Sequence, residues 1–213
     1  MKCGGGSDMM KNRKKTLTII QHLSECLEQL PFSIKARAGL NEGDKEEQAD
    51  FLLQASTYCS KISIHGRTLK QLYSGAADWD FIQQVKREVC GRTPCEVIGN
   101  GGITSYEQAK HYNEKYQVDG IMIGQAAIGN PRIFTPHQPT KEEKLQTILR
   151  HLDLSIAFDQ SSDPAHSLVE FRKFLFQYVK GIPESRERKT EMLHIKDYDE
   201  LKDNIEAFFE KTS

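Results

Sequence analysis

Four short apolar stretches of the chain each end in polar residues able to bind an anion. The first ends in Lys35 and Arg37, the second in His65, Gly66, Arg67 and Thr68, the third in Asn100, Gly101 and Gly102, and the fourth in Gly124 and Gln125. A lysine so placed can hold electron density on an anionic ring system, and a histidine can donate a hydrogen bond to it. A snorkelling lysine and a structural histidine are the plainer alternatives for Lys35 and His65. Arg37 and Arg67 carry planar forks suited to bidentate phosphate contact; pairing with nearby carboxylates is their alternative. Glycines after a strand let backbone N–H groups approach an anion, and the next helix adds its positive dipole end. One such cluster would be read as a tight turn alone. Two, at Gly99–Gly102 and at Gly124, favour an anion site.

These residues need a frame that brings four strand ends together. Apolar periodicity supplies it. Helical spacing covers Lys11–Leu30, Asp44–Cys59 and Asp78–Val89, and a fourth helix runs to about Tyr116. Thr104, with Glu107 three residues on, is expected to cap that fourth helix. Strands are expected at Phe32–Ala38, Lys61–Gly66, Cys95–Asn100 and Val118–Gly124. Regular alternation of this kind predicts a parallel sheet with crossover helices, and ligands bind at the carboxyl ends of such strands. After Pro131 the pattern is helical only. The expected division is 1–138 and 139–213.

The 213 residues, net charge of −1 and 38% hydrophobic content fit a globular chain able to bury roughly 70% of its unfolded surface. No apolar run approaches the ~18 residues of a membrane helix. Met1–Lys15 is glycine-rich and then basic, with no apolar signal core, so secretion is not expected. The five cysteines, Cys3, Cys26, Cys59, Cys90 and Cys95, form no CxxC pair. They suit a reducing cytoplasm. Near-neutral charge argues against a strongly basic nucleic-acid binder but leaves room for local basic patches. Arg172, Lys173 and Lys180 lie on one predicted helix, with Arg186, Arg188 and Lys189 after it. The interleaved Phe171, Phe174, Phe176 and Tyr178 are read mostly as core. Lys11, Arg13, Lys14 and Lys15 are read as a solvated helix start.

Several ordered motifs resemble the tRNA-dihydrouridine synthases, which are FMN-dependent (β/α)8 barrels with a C-terminal helical domain. The stretches are Lys2–Ser7 (KCGGGS), Ser33–Gly39 (SIKARAG), Ile64–Thr68 (IHGRT) with Gln71, Tyr73, Gly75 and Ala77–Trp79, Val97–Ile103 (VIGNGGI), and Gly120–Pro131 (GIMIGQAAIGNP). Phe171–Pro183 also resembles the family's helical domain. The resemblance implies an α/β fold: the C-terminal half of a TIM barrel, about four βα units of parallel strands, followed by an all-helical tRNA-binding domain. A complete barrel needs about 250 residues, whereas 138 hold four units of ~30.

By the same resemblance, Lys35 and His65 contact the FMN ring, and Asn100, Gly101, Gly102, Gly124 and Gln125 bind its phosphate side. Arg37, Arg67, Arg172, Lys173 and Lys180 contact the tRNA substrate. NADPH supplies the electrons that reduce uridine to 5,6-dihydrouridine. The family usually has an acidic residue where Gly102 stands and an Arg where Gln125 stands. Charge-assisted bonds contribute ~1.5–3 kcal/mol each, so the loss of that Arg lowers the expected FMN affinity. The family's proton-donating cysteine lies in an Asn-x-Gly-Cys-Pro motif just before the stretch matching Lys2–Ser7. No catalytic residue is therefore assigned, and Cys3 is read as incidental. The expectation is a truncated gene or misplaced start, incomplete as an autonomous enzyme, with self-association through exposed strand edges. The alternatives are a non-catalytic RNA-binding fragment and an unrelated phosphate-binding half-barrel. The ordered motifs argue against the last.

Overall fold

In the computed structural model, residues 4–27, 30–158, 164–182 and 190–211 are described. Cys3 and the basic run Arg186, Arg188 and Lys189 lie outside them. Four parallel strands form one sheet in the order β1-β2-β3-β4: β1 Ser33–Arg37, β2 Lys61–His65, β3 Glu96–Asn100 and β4 Gly120–Met122. Their alternation with helices α1 Arg13–Cys26, α2 Lys45–Ala55, α3 Trp79–Val89 and α4 Tyr106–Tyr116 matches the α/β class read from periodicity. The fold agrees with part of a (β/α)8 barrel.

The side-chain period of two divides the sheet into unlike faces. Ile34, Ile62 and Val97 are in register, as are Ala36, Ile64, Gly99 and Ile121. Ile62, Ile64 and Val97 are fully buried and belong to one core with Leu52, Ile82, Val85 and Val89 from the helices. The opposite face carries the rows Lys35, Ser63, Ile98, Gly120 and Arg37, His65, Asn100, Met122. The hydrophobic face thus fixes the register, and the register fixes which polar residues are neighbours.

Two local expectations change. The N-cap of α4 is Ser105, whose hydroxyl accepts from the Gln108 N–H at 3.1 Å. Thr104 instead donates its N–H and its hydroxyl to Gln108 Oε1, at 2.8 and 2.9 Å. Gln108, not Glu107, returns the second bond, so the helix starts one residue later than the Thr-x-x-Glu spacing suggests. Arg13 is not a solvated cation. It lies 2.5 Å from Asp44, and its Nε donates to Gln48 Oε1 at 3.0 Å. The fully buried Gln48 in turn donates to the Arg37 carbonyl at 3.0 Å, tying α1 through α2 to β1.

The chain forms two compact units, Met1–Gly124 and Gln125–Ser213. In the second, short 3-10 turns at Gln125–Ala127 and Pro131–Phe134 precede α5 Lys141–Ala157, α6 Pro164–Tyr178 and α7 Tyr198–Lys211. The stretch 125–138 thus clusters with the helices. Its Gly129 sits at φ +76°, and a Cβ there would lie 2.5 Å from the Gln177 backbone at the end of α6. The helices enclose a core of their own that includes Ile148, Leu152, Phe171, Leu175, Leu201 and Phe208. Phe171 is core as expected, whereas Phe174 is half exposed and lies against His151, ring centroids 5.0 Å apart. Among the described residues, no helix is long and apolar enough to cross a membrane.

Candidate functional site

The last row of the sheet is where the strands release their polar ends. Arg37, His65 and Asn100 are adjacent in register on the face away from the helices. Asn100 Nδ2 donates to the Met122 carbonyl at 2.6 Å, fixing the end of β3 to β4. Lys35 stands one same-face position back on β1 and is exposed. His65 and Asn100 are buried, at 7% and 9% exposure.

Each arginine is held by backbone oxygen. Arg37 Nη1 donates to the Thr68 and Leu72 carbonyls, at 3.1 and 3.2 Å. Arg67 grips the Gly75 carbonyl with Nε and Nη2, at 3.0 and 2.8 Å. Its Nη1 lies 3.4 Å from His65 Nε2. A guanidinium only donates, so His65 Nε2 must accept, which leaves the imidazole proton on Nδ1. The loop that supplies these carbonyls is itself closed by a reciprocal pair. Thr68 N–H donates to Gln71 Oε1 at 2.8 Å, and Gln71 N–H to Thr68 Oγ1 at 3.3 Å. The alternative reading of Arg37 and Arg67 as carboxylate partners does not hold: among the described residues neither forms an ion pair.

Electrostatics follow from this crowding. The His65 pKa is pushed down to about 4, first by burial and then by Arg37, Lys35 and Arg67. Burial and Arg37 also lower that of Lys35. The imidazole is therefore neutral at physiological pH and offers a hydrogen-bond donor inside a cationic patch.

The glycines divide into those that pack and those that open. Gly99 has no room for a side chain: a Cβ would lie 2.3 Å from Trp79 Cζ3. Trp79 is buried there, and its Nε1 donates to the Gly101 carbonyl at 3.0 Å. Gly101, at φ +127°, presses on His65, with a Cβ position 2.9 Å from its Cδ2. Gly102, at φ +74°, faces space: its Cβ would meet only Arg67 Nη2, at 3.9 Å. Gly124 has nothing within 4 Å of its Cβ position. An anion approaching Gly102 would therefore meet backbone beside a guanidinium. Open glycines, cations with no carboxylate partner among the described residues and a neutral imidazole donor suit a phosphorylated ring that takes up negative charge on reduction, such as FMN.

Gln71, Gly75 and Trp79 stand in the sequence motifs with nothing there to show their roles. The structure makes Gly75 and Gln71 the holders of Arg67 and its loop, and Trp79 the support of the Gly101 turn. An exposed polar loop has no periodicity from which such contacts could be read.

The expected site residues fall in both units. Lys35, Arg37, His65, Arg67, Asn100, Gly101, Gly102 and Gly124 belong to the first unit, and Gln125 to the second. Gln125 and Lys180 line the same cleft of the second unit. On α6, Lys173 pairs with Glu170 at 2.6 Å. Arg172 is buried at 8% exposure, with Nε unpartnered and its pKa lowered by burial.

The fold and this site define an α/β protein that gathers cations and glycine turns at the carboxyl ends of parallel strands, where anionic ligands bind. The family model for dihydrouridine synthase matches residues 1–213, and the chain belongs to that family. It is 29% identical over 215 residues to a probable tRNA-dihydrouridine synthase of Rickettsia typhi, covering 96% of this chain and 63% of that protein. A probable tRNA-dihydrouridine synthase of Aquifex aeolicus is 31% identical over 188 residues, or 85% of this chain and 57% of the relative. The tRNA-dihydrouridine(47) synthase [NAD(P)(+)] of Coprinopsis cinerea is 32% identical over 168 residues, 73% of this chain and 25% of the relative. The chain thus spans less than two thirds of the length of these curated relatives.

Proposed function

We propose that this chain supplies the cofactor-binding wall and the RNA-binding helices of a tRNA-dihydrouridine synthase, which reduces the C5–C6 double bond of a uridine in tRNA. The observation that carries this reading is the row Arg37, His65, Asn100 at the strand ends, with Lys35 behind it and Arg67 beside it. Bound FMN would carry the electrons, drawn from NADPH.

The chain's own residues have five tasks. The Lys35 ammonium, exposed on the same face, stabilises negative charge on the ring system by proximity. His65, neutral and protonated at Nδ1, donates a hydrogen bond to a ring acceptor without adding a charge. Arg67, expected at the tRNA, lies beside the open Gly102 turn, its Nη2 3.9 Å from the Cβ position there, so we assign both to the phosphate side, with Gly124 and Gln125 assigned to the same end by family resemblance. Arg37 is held by two carbonyls and orients substrate phosphate. The target base must leave its stack to reach such a site, and Lys173 and Lys180 are assigned to hold the RNA around it, whereas Arg172, expected there too, is buried. Strand edges at β1 and β4 that pair with no other described strand support self-association or pairing with further strands. Free Cys26, Cys59, Cys90 and Cys95 fit action in the cytoplasm.

The test is flavin retention alongside tRNA binding. The chain is expected to take up FMN, seen as bound visible absorbance, and to bind unmodified tRNA. No bound flavin at saturating FMN, together with intact tRNA binding, would sink the enzyme reading in favour of non-catalytic RNA binding.

A further inference from the structure

A second polar cleft lies wholly within the helical unit, away from the row of strand ends in sequence and in chemistry. It has a volume of about 320 Å³ and is formed by three segments: the loop around Gly129–Arg132, the first turns of α5 at Lys144 and Thr147, and the end of α6 at Gln177–Lys180. Its size is at the lower end of small-molecule sites, ~300–1,000 Å³, so it admits more than a single ion.

Its lining is chemically one-sided. Arg132, Lys144 and Lys180 are cationic, and none of the fourteen lining residues carries a carboxylate. Among the described residues, Lys144 and Lys180 form no ion pair. Among the described residues, the ion-pair partner of Arg132 is a loose one, Glu143 Oε1 at 3.7 Å. The other oxygen of Glu143 is already engaged, 2.6 Å from His137 Nε2 and accepting from the Thr140 N–H at 2.9 Å. Four carboxamides, Gln125, Asn130, Gln138 and Gln177, complete the polar lining. They can both donate and accept, as ribose hydroxyls and base edges require. Both lining hydroxyls are committed: Thr147 Oγ1 donates to the Glu143 carbonyl at 2.7 Å, and the Tyr178 hydroxyl lies 3.2 Å from His151 Nδ1.

The cleft is also rigidly built on one side. The close approach of Gly129 to the Gln177 and Tyr178 backbone leaves no space for a side chain, so the loop carrying Asn130 and Arg132 rests directly on α6. Three cations from separate segments converge on one space with nothing negative inside it. Such convergence leaves like charges unneutralised, and an anionic ligand relieves it.

We infer that this cleft binds a backbone phosphate of an RNA strand, with Lys144 and Lys180 neutralising it and the carboxamides holding the adjoining ribose or base. The inference rests on the proposed tRNA substrate and adds a defined contact point to it. It also gives Gln125 a place in RNA binding, distinct from its assignment at the cofactor phosphate.

The experiment measures binding of an unmodified tRNA transcript to the full chain as salt is raised. Wild type is compared with Lys144→Gln/Lys180→Gln and with Lys110→Gln/Lys115→Gln, which removes the same charge from exposed positions on α4. Circular dichroism checks that each variant is folded. The cleft variant is expected to bind about tenfold more weakly at low salt, and its log affinity–log salt slope to fall by roughly 0.7–0.9, as the loss of one neutralised phosphate requires. The α4 variant is expected to match wild type. Wild-type binding with an unaltered cleft variant, or an equal loss in both variants, would overturn the cleft and leave the proposed function standing. A wild-type chain that does not bind tRNA would overturn both.

Discussion

The two units of the chain hold their cations in opposite ways. In the sheet unit, Arg37 and Arg67 are fastened to the carbonyls of Thr68, Leu72 and Gly75 around a buried, neutral His65. In the helical unit, Lys144 and Lys180 are exposed and line an open cleft. A fastened guanidinium loses little conformational freedom when a ligand arrives, so it suits one small rigid ligand in one pose. A free lysine is a strongly hydrated point charge on a flexible stem, which suits a long, hydrated, variable polyanion. The difference separates positioning for chemistry from holding for capture, and each half of that contrast can be broken by substitution.

The largest effect is expected at Trp79. It is buried against Gly99, bonds the Gly101 carbonyl and touches Tyr112, ring centroids 4.9 Å apart. Trp79→Ala should cost ~3–5 kcal/mol, the usual loss for a large core aromatic. Because the helical unit has its own core, calorimetry should show the loss in one transition, with the α5–α7 transition kept. Equal loss in both would show that the units do not melt separately. Next is the pH response of the sheet unit. His65 has a folded pKa of about 4 against 6.5 in the unfolded chain, so the unfolded state binds more protons between those values. Stability should therefore be complete above pH 6.5 and fall as pH drops toward 4, by on the order of 2 kcal/mol after allowance for solvent screening. His65→Gln should flatten that slope in urea titrations. Arg67→Met is expected to weaken FMN binding about tenfold, the loss of one charge-assisted bond, while leaving the salt slope of tRNA binding nearly unchanged.

The reach of sequence reasoning also differs between the units. In the sheet unit, apolar alternation fixed the strands, strand alternation fixed the faces, and the polar ends fell in one row because parallel register is regular. Arg37, His65 and Asn100 were therefore legible as neighbours. What escaped was the loop after β2, where Gly75 holds Arg67 and Gln71 closes the loop on Thr68 through contacts that no period encodes. In the helical unit, the core positions Ile148, Leu152, Phe171 and Phe208 were legible from spacing. The cleft was not, because its members come from three segments and only folding brings them together. Arg172 shows the same limit: charge on a helix says nothing of which face is buried, and here it is 8% exposed.

The smallest expected effect compares one helix start in each unit. Ser105 caps α4 with a single bond to the Gln108 N–H. Thr140 caps α5 with a full capping box: its hydroxyl accepts from the Glu143 N–H at 3.2 Å, and Glu143 Oε2 accepts from the Thr140 N–H at 2.9 Å. The pattern Thr-x-x-Glu occurs at both Thr104 and Thr140, yet only the second forms the box, because at the first Gln108 takes both Thr104 donors. Ser105→Ala should lower the stability of the sheet unit by about 1 kcal/mol. Thr140→Ala should lower that of the helical unit by the same order. It leaves the residue-140 N–H and His137 in place as partners of Glu143 Oε2, so Glu143 stays where it is beside Arg132. Both variants should therefore bind tRNA as wild type does, and weaker tRNA binding in Thr140→Ala alone would mean that the start of α5 helps to shape the cleft.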